Sequence, residues 1–332
     1  MNEGQRPGTA EAARLVEPSR VAAPPDTWMY LDGRMVRYSE ARIGLLTHAL
    51  HYGTACFEGL RAYWNPDLGQ LFVRHAARHF ERLERSSAFL GITPPLDVPR
   101  LVALTLELLR RNEIRADAYI RPILFTASEV LNPAMEGLSR SFAVYVTPFG
   151  RHADAAVGTR CMVSSVRKIP QASIPASAKI TGTYVNAALA KSEARRHGFD
   201  EAIQLTGEGR VCEGSIANLF MFRNGAFATP PLSDGILDGI TRYSLLQLIP
   251  GELGVGVAER SIDPNELYNC DELLLCGTGM EVLAVTEVDG HQVGDGHVGR
   301  RTARLQQEYR QAVRGYSARY RDWLTPVYEG GG

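Results

Sequence analysis

The chain has 332 residues, with 36 basic and 37 acidic side chains and a formal net charge of −1. That balance, with both signs interspersed, leaves no electrostatic footprint for nucleic acid or an anionic membrane; no apolar run is long enough to span a bilayer. Five cysteines without CxxC spacing and eight histidines without HExxH spacing speak against zinc and a disulfide framework, and suit a reducing cytoplasm.

The length favours two α/β domains. Residues 1–25, rich in Ala, Pro, Arg and Glu without a signal-like apolar stretch, read as a disordered extension. Residues 28–37 read as a hairpin around Asp32 and Gly33, and 44–52 lead into the run 53–63, whose end is strand-like. Residues 70–74 are a short strand, while 75–90 carry Phe80, Leu83 and Phe89 on one helical face. A second amphipathic helix spans 98–112 through Leu101, Leu104, Leu108 and Leu109. Strands at 118–125 and 141–147 enclose the loop 126–138, long enough to suggest a function.

Composition shifts at 148–158, which predicts a small N-terminal domain over 26–148, an interdomain loop at 149–158 and a larger C-terminal domain over 159–332. There, 159–167 reads as a strand, 183–197 as a helix closed by Gly198, and 202–205, 209–212 and 218–228 as antiparallel strands. Residues 240–249 form a helix, and 271–276 a strand entering Gly277, Thr278 and Gly279.

Only Lys168, Lys179 and Lys191 among the 36 basic residues are lysines, so chemistry needing a side-chain amine has three candidates. Lys168 beside a strand and Lys191 on a polar helix face read as solvated lysines. Lys179 lies between a Pro- and Ser-rich approach and a helix, among small neighbours that admit a bulky group. Glu213, at a strand end before Gly214 and Ser215, is either an exposed charge or a carboxylate able to hold a protonated ring nitrogen. Tyr184 is either a packed helix residue or a phenol donor near Lys179. Gly239, Ile240 and Thr241 open a helix whose free N–H groups and dipole receive an anion; Thr278 and Arg82 could add a hydroxyl and a positive charge. Amine, carboxylate, phenol and anion site are what pyridoxal 5′-phosphate (PLP) requires of a protein.

These pieces occur in the order of a known family. The chain resembles the branched-chain amino-acid aminotransferases, fold-type IV PLP enzymes, from about Trp28 to Val327. The resemblance rests on HALHYGxxxFEGLRAY (48–63), HFERL (79–83), AYIRP (118–122), SAKxTGxYVN (177–186), EARRHGFDEAIxL (193–205), EGSxxNLF (213–220), DGITR (238–242) and GTxxEV (277–282). It implies a mixed α/β fold of two domains with PLP between them. Lys179 is then the Schiff-base lysine that also moves the substrate α-proton, Glu213 the partner of the pyridine nitrogen, and Tyr184 the donor to the phenolic oxygen. Arg82, Ile240, Thr241 and Thr278 hold the phosphate. Tyr119 and the amides of the turn at Thr278 and Gly279 receive the substrate α-carboxylate, Tyr52 and Arg121 the distal carboxylate of glutamate, and Phe57 lines the side-chain pocket.

The same resemblance implies a homodimer or higher oligomer in which loop 126–138 of the partner closes each site, and ping-pong transfer from Leu, Ile or Val to 2-oxoglutarate. Four positions depart from the family pattern: Phe149 for Trp, His152 for a Tyr that commonly helps bind substrate, Ala217 for Glu, and Gly279-Met280 for a small pair. His152 and Met280 motivate an alternative, a specialised transaminase for a non-standard or larger amino acid in secondary metabolism. A D-amino-acid or amine transaminase, an aminodeoxychorismate lyase and a non-catalytic PLP-binding protein share the fold; the FEGLRAY and AYIRP blocks speak against the lyase.

Overall fold

The computed structural model describes residues 23–149 and 157–329. Nearly all of the expected extension, most of the 149–158 loop and His152 lie outside the described residues. The architecture is mixed α/β, built on two sheets.

The N-terminal part runs β1 (Trp28–Leu31), β2 (Arg34–Arg37), α1 (His48–Tyr52), β3 (Ala55–Phe57), β4 (Leu60–Asn65), β5 (Gln70–Arg74), α2 (Ala76–Ala88), α3 (Val98–Arg111), β6 (Ala118–Thr126) and β7 (Arg140–Pro148). Asp32 and Gly33 turn the first hairpin with φ of 45° and 86°, the backbone region such tight turns require. The C-terminal part continues with β8 (Thr159–Val163), a 3-10 turn (Thr181–Thr183), α4 (Tyr184–Arg196), β9 (Glu201–Leu205), β10 (Val211–Gly214), β11 (Asn218–Arg223) and β12 (Ala226–Thr229). It ends with α5 (Ile240–Leu253), β13 (Val257–Glu259), α6 (Pro264–Leu267), β14 (Glu272–Gly277), β15 (Glu281–Val288), β16 (His291–Gln292), α7 (Arg300–Val313) and β17 (Leu324–Pro326).

The first sheet has the order β17-β5-β4-β6-β7-β1-β2, with β3 paired to β6, and is antiparallel throughout. Its last strand comes from the far end of the chain: Leu324, Thr325 and Pro326 pair with Arg74, Val73 and Phe72. The second sheet has the order β10-β9-β8-β15-β14-β11-β12-β13, with β16 on β15; β8 runs parallel to both β9 and β15.

Leu83, Leu101 and Leu108 of α2 and α3 bury against Leu60, Leu71 and Ile120 of the first sheet. In the second sheet, Phe220, Phe222 and Leu274 face α5 and α7 through Leu245, Leu248, Leu305 and Tyr309. Their neighbours Leu219, Met221, Leu273 and Leu275 face the opposite way into a separate core. Strands buried on both faces carry unbroken apolar runs, as β11 and β14 do. Tyr63 and Leu324 of the first sheet belong to the α5–α7 core, so the two sheets share one packed boundary.

The strand expected over 159–167 stops at Val163. Beyond it the hydroxyls of Ser164 and Ser165 and the Ser165 N–H donate to the Glu193 carboxylate on α4, which draws the chain off the sheet. All five cysteines are free and buried. Among the described residues no helix is long and apolar enough to cross a membrane, and no His, Cys, Asp and Glu group could hold a metal ion.

Candidate active site

A cavity of about 1050 Å³ opens between the two sheets, and Lys179 stands in its wall. The backbone of this lysine is strapped to the first sheet. Its N–H donates to Ser86 Oγ (3.0 Å), its carbonyl accepts from the Phe57 N–H (3.2 Å), and Ile180 pairs with Cys56. The Gly182 N–H and Thr181 Oγ1 both donate to the Gly53 carbonyl, at 3.1 and 2.8 Å. A Cβ on Gly53 would come within 2.7 Å of the Gly182 Cα, so two glycines allow this approach.

Held this way, Lys179 Nζ lies 2.5 Å from Tyr184 Oη and 4.8 Å from the centroid of the Phe57 ring. Burial, then the positive charge of Arg82, lowers the amine to about 8. An amine in that range is partly uncharged near neutral pH and can act as a nucleophile or base. Burial pushes Tyr184 up to about 12, which keeps its phenol protonated as a donor.

Glu213, at the end of β10, is buried and accepts from three donors. These are Lys168 Nζ at 2.5 Å, Asn218 Nδ2 at 2.9 Å and the Leu237 N–H at 3.2 Å. Lys168 is therefore not the solvated lysine its neighbourhood predicts: although burial opposes its charge, Glu213 outweighs this and holds the amine above its ordinary range. Lys191 departs from the same expectation, reaching buried Glu201 at 2.5 Å. In both cases the compensating carboxylate is brought in by a strand from elsewhere in the chain.

The end of the cavity expected to receive an anion is the start of α5. Gly239 caps the helix in an extended conformation without a side-chain cap, and the first N–H groups of a helix have no partner within it. A Cβ on Gly239 would collide with Asn218 Oδ1. Arg82 reaches this helix start through Nη1 to the Asp238 carbonyl, at 2.7 Å. Ile240 and Thr241 line the cavity, and so does Thr278, from the turn between β14 and β15.

Arg82 is fixed by Glu58, a residue the sequence reading leaves without a role. The fully buried Glu58 carboxylate accepts Arg82 Nε at 2.6 Å and Nη2 at 2.8 Å, and His79 Nδ1 at 2.7 Å. Burial opposes its ionisation, but Arg82 and His79 together overcome this and hold the carboxyl far below its usual range. Burial lowers His79 to about 4, so the imidazole is neutral. The signal that could reveal the cluster is an acidic residue inside an apolar run, Phe57-Glu58-Gly59-Leu60, which burial permits only with a cation beside it.

On the opposite side, Arg121 Nη2 donates to Tyr119 Oη at 2.8 Å, and its guanidinium lies 4.5 Å from the Phe57 ring centroid. A Cβ on Gly59 would collide with Tyr119 Oη, so this glycine makes room for the phenol. Gly279, Met280, Ala217 and Phe149 complete this wall.

Tyr52 is not brought to the cavity. It sits 38% exposed on α1, against the ring of His48 at 4.6 Å. His48 ties α1 to the loop 126–138 through Nε2 and the Asn132 carbonyl, at 2.9 Å, and neither segment lines the cavity of its own chain. The remaining expected site residues within the described range all meet there.

The amino-transferase class IV family matches residues 55–288. The probable branched-chain-amino-acid aminotransferase of Aquifex aeolicus is 44% identical over 300 residues, covering 90% of this chain and 96% of that protein. The crystal structure of the branched-chain aminotransferase of Thermoproteus uzoniensis with norvaline superposes with a TM-score of 0.87 at 40% identity, covering 91% and 99% of the two chains. That of the Thermobaculum terrenum branched-chain amino acid aminotransferase in its PLP form gives 0.88 at 32% identity, covering 92% and 99%.

Proposed function

The chain belongs to the class IV aminotransferases, among the branched-chain-amino-acid aminotransferases, and from that footing we propose how its own residues transfer an amino group from a branched-chain amino acid to a 2-oxo acid with PLP. The observation that carries the reading is one buried amine, Lys179, held against Tyr184 in a cavity that also takes in Glu213, Arg82 and the start of α5.

The residues fit the cofactor. The α5 start offers N–H groups without a partner inside the helix, Glu213 is held in place by donors from three segments, and both face one cavity with Lys179. When bound, PLP supplies an aldehyde that links to amines and a ring that stabilises negative charge at the substrate α-carbon. Glu213 would hold the ring nitrogen protonated, with Asn218 and Lys168 fixing the carboxylate. Tyr184 Oη would donate to the phenolic oxygen, and Arg82, Thr241, Thr278 and the Ile240 and Thr241 amides would hold the phosphate. Lys179 Nζ, lowered to about 8, would take the proton from the substrate α-carbon and pass it to the cofactor's aldehyde carbon, and would run that transfer in reverse in the second half of the reaction. Tyr119, with the Thr278 and Gly279 amides, receives the α-carboxylate. Phe57 and Met280 face the branched side chain, and Arg121 the distal carboxylate of the second substrate.

The first sheet with α2 and α3 serves as the small domain and the second as the large one. A second copy of the chain completes each site with Tyr52 and loop 126–138, for these stand outside their own cavity while Leu45, Leu50 and Leu131 beside them are exposed. Buried, free cysteines accord with a reducing cytoplasm. The test is a donor panel on purified enzyme, following the cofactor's visible band. Leu, Ile and Val should discharge it faster than aspartate, lysine or D-amino acids; preference for a larger donor would make Met280 the specificity determinant, and inertness to all three would overturn the reading.

A further inference from the structure

Arg74, the last residue of β5, is 1% exposed, yet among the described residues no carboxylate lies within ion-pair distance of it. Its neighbours are neutral. Nη1 donates to Ser244 Oγ at 3.0 Å and to the Ile240 carbonyl at 3.4 Å, Nη2 to Thr241 Oγ1 at 2.9 Å, and the guanidinium faces the Tyr309 ring at 5.6 Å. Nε has no hydrogen-bond partner. Buried charges are ordinarily paired, because removal from water is costly without an opposite charge.

The charges around the anion end single this residue out. Arg82 is answered in place by Glu58, and Arg242 by Glu259 at 2.5 Å. His75 is neutral, lowered by burial and by Arg74 itself to about 2. Arg74 is the cation left over, directly behind the helix start where a phosphate would sit. It does not line the cavity, but Thr241 and Ile240, which it contacts, both do. A guanidinium only donates, so it occupies a lone pair of the Thr241 hydroxyl and leaves the hydroxyl proton for a ligand oxygen or the phenol of Tyr309.

We infer that Arg74 is a positioning residue for the cofactor phosphate. From behind Thr241 it supplies the net positive charge that the Arg82–Glu58 pair does not, and it orients the Thr241 hydroxyl towards the phosphate oxygens. The inference rests on the reading that the phosphate sits at the α5 start.

The experiment compares PLP with pyridoxal, which lacks the phosphate, as ligands of the cofactor-free full chain. Arg74→Gln and Arg74→Met should weaken PLP on the order of tenfold or more, the value of a charge-assisted contact, while pyridoxal affinity changes by less than about threefold. Equal weakening of both ligands would make Arg74 merely structural and overturn the inference. Thr241→Val and Arg82→Gln are measured alongside. If neither alters the PLP-to-pyridoxal ratio, the phosphate location itself fails; if they lower it and the Arg74 variants do not, only the role of Arg74 fails. Should the uncharged variants not fold, Arg74→Lys is measured instead: it keeps the charge but not the fork to Ser244 and Thr241, so its ratio should fall, and an unchanged ratio would overturn the orienting of Thr241.

Discussion

Replacing Glu58 by Gln tests whether the buried cluster behind the phosphate end holds as described. The substitution keeps the shape but removes the negative charge that Arg82 binds directly, at 2.6 and 2.8 Å. Removing one partner of a buried ion pair costs about 3–5 kcal/mol, because the remaining charge is left uncompensated. The Gln oxygen can still accept from His79, so a loss near the lower figure, about 3 kcal/mol, is expected at neutral pH.

The pH dependence adds a second check. Glu58 titrates in the folded chain far below its ordinary 4.5, so its contribution is fully present above 4.5 and is lost as pH falls below that value. His79, lowered from 6.5 to about 4, contributes stability that is present above 6.5 and is lost as pH falls towards 4. E58Q should therefore keep the decline that begins below 6.5 and show a shallower one below 4.5, where Glu193 and Glu266 are also held below that value. Urea unfolding followed by circular dichroism across acid pH measures both. A variant as stable as the parent at neutral pH, with the same acid limb, would refute the cluster.

Four further expectations follow from the geometry. Lys179→Ala should lower turnover by at least about a hundredfold, the usual worth of a positioned base, with the melting temperature nearly unchanged. In the parent protein, the rate of PLP capture by the cofactor-free chain should rise with pH through about 8 and then level, and a midpoint near the ordinary 10.5 would contradict the buried environment. Gly59→Ala should displace Tyr119, raising KM for the amino donor about tenfold or more while leaving PLP affinity nearly intact, as steady-state kinetics and cofactor titration will report. Leu131→Asp, at an exposed apolar position, should shift the sedimentation of the chain towards the monomer; an unchanged oligomer would remove loop 126–138 from the subunit contact.

Local chemistry was legible without a structure wherever a few adjacent residues carry it. Lys179 was one of three possible amines, the opening of α5 read as an anion site through its glycine and threonine, and Asp32-Gly33 announced its turn. Chain periodicity gave the buried faces of α2 and α3. It passed over β15 and α7. The apolar run of β15 makes sense only between its partners, antiparallel β14 and parallel β8, the latter bringing Val285 beside Thr159.

What lay beyond the sequence was every relation between distant segments. Lys168 and Lys191 looked like solvated cations because their carboxylates, Glu213 and Glu201, arrive on strands 45 and 10 residues away. Tyr52 is expected at a site, and only the packing shows that α1 turns outward with the loop it is tied to, away from the cavity of its own chain. Arg74 ends a short strand, and only folding buries it with no carboxylate among the described residues at ion-pair distance. Residue type and spacing determine which groups are present and which way each element faces. Only the packing of one sheet against the other decides which charges meet, because desolvation and Coulomb attraction act through space and are indifferent to separation along the chain.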